Sequence, residues 1–244
     1  MSRIRLRYEK LGKVRFLSHR DVARCLERAV RKAGLPVAYS QGFSPRARLH
    51  FGLALSTGYE SLAEFVDVDL DDDAPAAAGV HVDELPDRLS PCLPVGIVVT
   101  AAAPIETSLG SLQESVTSCT WQFDVPGVDP GTLAAAAERL LAAREVPLDL
   151  VRKGKQVRED LRPLIVELST ERTADGARLV AELGTKPRSV RPAEFFAALG
   201  PLEGDVDIHD ARVLRRHQWI TDDGARREPL MVADPSPHAQ VRAS

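Results

Sequence analysis

The chain has 244 residues, of which 44% are hydrophobic, so it is long enough to bury a core as one large or two small domains. No apolar run approaches the roughly 20 residues that cross a bilayer, and the sequence predicts no membrane span. The formal net charge of −3 hides a strong polarity, because residues 1–50 carry +10, residues 51–150 carry −14 and residues 151–244 carry +1. A concentrated positive segment attracts polyanions such as nucleic acids.

The three cysteines, Cys25, Cys92 and Cys119, are odd in number and far apart in the sequence. This usage is typical of reduced thiols, and we expect a cytoplasmic protein. Since no CxxC or other close cluster occurs, the sequence predicts neither a zinc site nor an iron–sulfur cluster, and no cofactor.

The first half of the chain begins with a strand pattern. Apolar and charged residues alternate along residues 3–9, and residues 14–17 are expected to continue the strand after a turn. Ser18 followed by Asp21 indicates the N-cap of a helix that ends before Gly34 and packs its apolar face on the first sheet. Further strands are predicted at residues 37–40, 46–55, 62–70 and 95–103, with a short helix at residues 80–89.

The second half repeats this order of elements without obvious sequence identity. Asp129 and Pro130 mark the start of an alanine-rich helix, and residues 174–176 are typical of a hairpin turn. Strands are predicted at residues 116–125, 148–151, 161–168, 177–183 and 206–220, and helices at residues 130–144 and 192–199. The predicted fold class is therefore α+β, with two tandem ferredoxin-like (βαββαβ) units at residues 1–106 and 114–220 and a disordered tail at residues 221–244.

The first predicted helix carries a row of basic residues. Its members fall within about 80° of one another, opposite the apolar face: Arg20, Arg24, Arg28 and Arg31. They form either a solvated helix face, partly neutralised by Glu27, or a surface that binds RNA phosphates. Further cations in the same segment favour RNA binding, and these are Arg3, Arg5, Arg7, Arg15, Arg46 and Arg48.

A loop at residues 41–45 combines a glycine, an aromatic ring and polar side chains beside basic residues. Phe43 either fills the core or stacks on an unpaired base whose edge Gln41 reads. The basic turn Arg152-Lys153-Gly154-Lys155 is either a solvated hairpin or a contact for the nucleic-acid backbone.

His19 directly follows the predicted N-cap of the first helix. It either packs or caps there, or it contacts a phosphate or acts as a general acid–base group. No catalytic residue is assigned, and His19 is a candidate only, because no neighbouring Asp or Ser indicates a triad. Asp67, Asp69 and residues 71–73 lack the spacing of an EF-hand, so we interpret them as solvated carboxylates that repel RNA or dock a basic protein.

Four separated motifs, at residues 12–21, 39–46, 152–155 and 161–165, closely resemble those of the radical-SAM-linked proteins. This bacterial family is encoded beside radical SAM enzymes or fused behind them, and the resemblance covers residues 3–220. Arg20 stands where many members have a hydrophobic residue, and Arg46 where the typical loop has histidine. The resemblance implies a separate radical SAM enzyme as a partner.

Together these features predict a non-catalytic RNA-binding accessory protein that works with a radical SAM enzyme in tRNA or rRNA modification or maturation. One alternative is a metal-independent endoribonuclease that uses His19, since the predicted architecture resembles the RNA-processing endoribonucleases of CRISPR systems. Another is an adaptor whose basic and acidic faces each bind protein. The predicted RNA-binding residues are Arg15, His19, Arg20, Arg24, Arg28, Gln41, Phe43, Arg46, Arg48, Arg152, Lys153 and Lys155.

Overall fold

The computed structural model describes residues 2–106, 110–152, 154–200, 202 and 207–230. Within these residues the chain is a mixed α/β protein with a large mixed sheet, a separate two-stranded hairpin and five α-helices. It divides into two compact units. Unit 1 comprises Met1–Gly58, Ala63–Ser115 and Asp222–Ser244, and unit 2 comprises Tyr59–Leu62 and Val116–Thr221.

Unit 1 holds the first four strands, one of which begins in unit 2. Its elements are β1 (Arg3–Lys10), α1 (His19–Lys32), β2 (Leu49–Phe51), β3 (Glu60–Asp69), α2 (Leu85–Leu89), β4 (Ile97–Ile105) and α3 (Leu112–Ser115). Strand β1 lies between β4, with which it pairs in antiparallel fashion, and β3. Strand β2 pairs antiparallel with β3 on its other side.

Helix α1 begins at the residue that the capping pattern predicts. The Ser18 hydroxyl accepts the backbone N–H of Asp21 at 3.2 Å and donates to the carboxylate of that residue at 2.6 Å. Gly34, with φ +67°, adopts the left-handed conformation that ends the helix. As expected, the apolar face packs on the sheet, and the shared core includes Val22, Leu26, Ala29 and Val30 of α1 with Ile4, Leu6, Tyr8, Val66 and Val68. Burying one aliphatic side chain contributes about 1.5–3 kcal/mol to stability, which is more than the ~1 kcal/mol of an N-cap. Packing of the apolar face therefore stabilises α1 more than its cap does.

The segment after β1 differs from the prediction, because residues 14–17 do not continue the strand. Gly12–Phe16 form a 3-10 helix instead. The buried side chain of Lys10 donates from Nζ to the carbonyl oxygens of Arg15, at 3.1 Å, and of Leu17, at 3.0 Å. These bonds satisfy the ammonium group and hold the turn against the end of β1, an arrangement that alternation within the segment does not encode.

The strand predicted at residues 46–55 is also much shorter, since β2 covers only Leu49–Phe51. Residues 37–40 form no strand and contribute two isolated bridges, between Val37 and Leu70 and between Tyr39 and Ala47. Pro45 precedes β2 and lacks the backbone N–H that a longer ladder on that side needs.

Unit 2 contains the remaining helices and most of the remaining strands. They are β5 (Ser118–Pro126), α4 (Pro130–Ala142), β6 (Pro147–Arg152), β7 (Lys155–Asp160), β8 (Ile165–Arg172), β9 (Gly176–Gly184), α5 (Pro192–Ala198) and β10 (Arg212–Asp222). The antiparallel order is β10-β5-β9-β8, while β6 and β7 form the separate hairpin. As predicted, Asp129 caps α4 by accepting the backbone N–H groups of Gly131 and Thr132.

The predicted tail differs from the structure where it is described. Strand β10 extends into it, and a further strand, β11, covers Ala225–Arg227. Beyond β11, Glu228 pairs with Arg7, and Leu230 packs against a small apolar cluster of Ala63, Phe65 and Leu112. Residues 231–244 lie outside the described residues. A mixed fold of helices and strands confirms the predicted class at that level, and the two ferredoxin-like repeats stay a prediction.

Candidate nucleic-acid interface

The outer face of α1 presents its arginine row to solvent. All four members are exposed: Arg20, Arg24, Arg28 and Arg31. In the part of the chain that the structure describes, Glu27 forms no ion pair, and Arg24 instead pairs with Asp21 at 3.3 Å between Nη1 and Oδ1. Arg28 donates from Nε to the Arg24 carbonyl oxygen, and its Nη2 lies 3.8 Å from the sulfur of Cys25. The row is only partly neutralised and presents several guanidinium donors to a polyanion.

A groove of about 650 Å³ runs beside this row. Arginine guanidiniums, two carboxylates and two apolar side chains surround it: Leu17, Asp21, Arg24, Cys25, Glu27, Arg28 and Arg31. A hydrogen bond from the Ser18 hydroxyl, with the neighbouring charge of Arg24, holds the pKa of the Asp21 carboxyl below its usual value. Asp21 is therefore ionised at neutral pH, and a phosphate in the groove is expected to approach the arginines on the side away from it.

Two aromatic contacts lie near the start of α1. The Arg15 guanidinium lies 4.7 Å from the centroid of the Phe16 ring, and that ring is 61% exposed. The exposed ring of His19 makes an edge contact with Phe51, with centroids 4.9 Å apart. Within the described ranges no carboxylate contacts His19, so the geometry shows no acid–base pair there. Sequence reasoning did not single out Phe16 as a stacking residue, although its position next to Arg15 offered that signal.

The loop at residues 41–45 exposes its aromatic side chain completely. Phe43 has a relative exposure of 110%, which excludes the interpretation that it fills the core. The base of the loop is closed by two hydrogen bonds, from the Ser40 N–H to the Arg46 carbonyl oxygen and from the Arg46 N–H to the Ser40 hydroxyl. Gln41 and Arg46 are exposed as well, so the loop presents a ring, an amide and a guanidinium to solvent.

The carboxylates on β3 are not solvated, and that prediction is wrong. Asp67 and Asp69 are both buried. Arg5 donates from Nε and Nη2 to the two carboxylate oxygens of Asp67 at 2.7 and 2.9 Å, and Arg3 donates from Nε to Asp69 at 2.6 Å. Strands β1 and β3 are neighbours, so their alternating charged residues meet on one face of the sheet. These two arginines are therefore neutralised within the fold and add little to a basic surface.

Arg48, a predicted RNA-binding residue, joins the same group of side chains. Its Nε lies 3.2 Å from Oδ2 of Asp69, and its side chain is 42% exposed. His50 places Nε2 3.1 Å from the same oxygen. Sequence reasoning missed His50, for which the only available signal was its spacing of two residues from Arg48, because such residues share a face of a strand.

The basic turn of unit 2 connects β6 to β7. Arg152 and Lys155 are partners in the antiparallel ladder, and Gly154 has φ +76°, which suits a tight turn. Lys155 is exposed, whereas Lys153 lies outside the described residues. The turn is thus a hairpin, and whether it contacts a nucleic-acid backbone stays a prediction.

The described residues contain neither a candidate metal site nor a candidate membrane-spanning helix. Over the described ranges, no group of three or more His, Cys, Asp or Glu side chains is placed to hold a metal ion. Among the described helices, none combines the length and apolar character needed to cross a membrane.

The described residues form a mixed α/β fold that presents an exposed arginine row and exposed aromatic rings. These side chains are a candidate surface for anionic polymers. The model of a family described as an uncharacterized protein conserved in bacteria, DUF2344, matches residues 3–192, and the chain belongs to this family. The matched range contains all four motifs singled out in the sequence. None of the curated proteins matches the chain. The link to radical SAM enzymes is no part of these findings and stays a prediction.

Proposed function

We propose that this protein is a non-catalytic RNA-binding accessory protein in tRNA or rRNA modification or maturation. The observation that carries the proposal is the exposed arginine row of α1 in the same unit as a fully exposed aromatic ring, Phe43. Guanidiniums neutralise phosphates, and an exposed ring stacks on an unpaired base. Both are needed to hold single-stranded RNA without reading much of its sequence.

The dimensions of the row favour a polymer over a small anion. At a rise of about 1.5 Å per residue, the interval from Arg20 to Arg31 spans roughly 16 Å along the helix axis. A free phosphate or nucleotide engages two or three adjacent donors, whereas an extended polyanion uses the whole length. We therefore assign the face to a nucleic-acid backbone.

The structure favours neither of the two alternatives. An endoribonuclease that uses His19 needs a second group to orient or activate the imidazole, and in the described residues the side chain contacts Phe51. An adaptor needs an acidic face, but Asp67 and Asp69 are buried in ion pairs with arginines. The run at residues 71–73 is exposed, but it is shorter than the acidic face that the adaptor needs.

The proposal includes a finer description of the fold. Each unit is proposed to be a ferredoxin-like βαββαβ repeat, with the β6–β7 hairpin inserted in the second. The strand neighbours support this, since β4, β1, β3 and β2 follow one another in unit 1 and β10, β5, β9 and β8 do so in unit 2. Such a sheet with helices on one face is a frequent scaffold for RNA binding.

The proposed radical SAM partner rests on the resemblance of the four motifs at residues 12–21, 39–46, 152–155 and 161–165. The decisive experiment is ultraviolet crosslinking in the native host, purification of the protein under denaturing conditions and sequencing of the attached RNA. We expect tRNA or rRNA fragments, and a radical SAM enzyme in a parallel native purification. A preparation that contains no crosslinked RNA above that of an Arg24→Gln/Arg28→Gln variant would contradict the proposal.

A further inference from the structure

Three side chains of unit 1 converge on the buried carboxylate of Asp69. They come from β1, from the residue before β2 and from β2 itself: Arg3, Arg48 and His50. The distances to the Asp69 oxygens are 2.6 Å from Arg3 Nε, 3.2 Å from Arg48 Nε and 3.1 Å from His50 Nε2. The carboxylate is 1% exposed, but the Arg48 and His50 side chains are 42% and 44% exposed, so the group has a buried anchor and an accessible edge.

The buried carboxylate of Asp69 determines which tautomer His50 adopts. Burial raises the pKa of the Asp69 carboxyl, but hydrogen bonds from Arg3 and His50, together with the charge of Arg3, outweigh burial and hold the pKa below its usual value. An ionised carboxylate only accepts hydrogen bonds, so Nε2 of His50 carries the proton. In the neutral ring Nδ1 is then an acceptor, and within the described residues it has no protein donor.

The accessible edge therefore combines an acceptor, on His50, with the guanidinium of Arg48, which contacts the same oxygen of Asp69. A ligand that satisfies both offers a hydroxyl donor beside an anion. In RNA every 2′-hydroxyl lies next to a phosphate, whereas DNA has the phosphate alone. Resting on the proposed function, we propose that His50 and Arg48 recognise the 2′-hydroxyl and adjacent phosphate of bound RNA, and that this site selects RNA over DNA.

The inference is tested with single-stranded oligonucleotides of one sequence, made as RNA, as DNA and as 2′-O-methyl RNA. All affinities are measured at pH 8. We expect the wild-type protein to bind RNA about tenfold more tightly than DNA, as for one added hydrogen bond to a ligand. The 2′-O-methyl RNA is expected to bind like DNA, because the methyl group removes the donor.

The variant His50→Ala is expected to lose most of the preference for RNA and to keep its affinity for DNA. His81→Ala, at another exposed histidine of unit 1, is the matched control and should retain the preference. Circular dichroism and urea unfolding establish that both variants are folded.

Two results would overturn the inference. One is equal affinity of the wild-type protein for RNA and DNA, and the other is a His50→Ala variant whose affinities for RNA and for DNA fall by the same factor. Either result leaves salt-dependent binding by α1, and hence the proposed function, intact. Absence of binding to all three oligonucleotides would overturn both the inference and the proposed function.

Discussion

Replacement of Arg24 and Arg28 by glutamine is expected to weaken the salt dependence of RNA binding without unfolding the protein. Both side chains are exposed and point away from the core that α1 shares with β1 and β3. Within the described residues the change removes one ion pair, between Arg24 and Asp21, and this solvent-exposed pair is of the kind that contributes little to stability. The change therefore removes positive charge while it preserves the scaffold.

The magnitude follows from counterion release. Each phosphate neutralised in a single strand contributes about −0.7 to the slope of log K against log salt, so four arginine contacts give roughly −2.8. Between 50 and 200 mM salt this slope corresponds to a loss of affinity of about 50-fold. With two contacts removed, the slope is about −1.4 and the loss about sevenfold.

The assay is fluorescence anisotropy of a labelled single-stranded RNA titrated at four or more salt concentrations. Arg172→Gln/Arg227→Gln is the control, since it removes the same charge from exposed positions outside the row. We expect the control to keep the wild-type slope. The reasoning is refuted if both double variants flatten the slope equally, because the effect then reflects net charge, or if neither does.

Three further results are expected. Phe43→Ala should lower RNA affinity by about 1–3 kcal/mol in the same titrations with little change in slope, since stacking releases few ions, and an unchanged affinity would exclude a stacking role. Asp67→Ala should lower the free energy of unfolding in urea by about 3–5 kcal/mol, because the buried Arg5 guanidinium loses its carboxylate partner. The double variant Arg5→Met/Asp67→Leu should recover most of the lost stability. Similar losses in the single and the double variant would contradict a paired-charge role. The lowered pKa of Asp69 stabilises the folded state above its unfolded pKa of about 3.9, and this stability is lost as the pH falls through the lower folded pKa. Asp69→Asn should therefore flatten the decline of stability measured by urea unfolding below about pH 4, and an unchanged acid profile would count against this carboxylate.

Local chemistry made several features predictable. The capping bonds of Ser18 and Asp129 involve residues two or three positions away, so short segments contain all the information. The apolar and basic faces of α1 follow from helical spacing alone, and the structure buries one and exposes the other. The mixed fold class also followed from the alternation of strand and helix patterns along the chain.

Contacts between distant residues decided the rest. Alternation placed Arg5 on one face of a strand, but its exposure depended on Asp67, which lies 62 positions away and reaches it through strand pairing. The same holds for His50 and Asp69, whose meeting requires β2 to pair with β3 in one particular register. Lys10, at the end of β1, donates hydrogen bonds to the carbonyl oxygens of Arg15 and Leu17. These oxygens come within reach of its side chain only after the chain has turned back. A sequence determines which charges alternate and where helices begin. The assembled sheet decides whether a charged side chain is solvated or buried in an ion pair, because burial and pairing depend on which strands become neighbours.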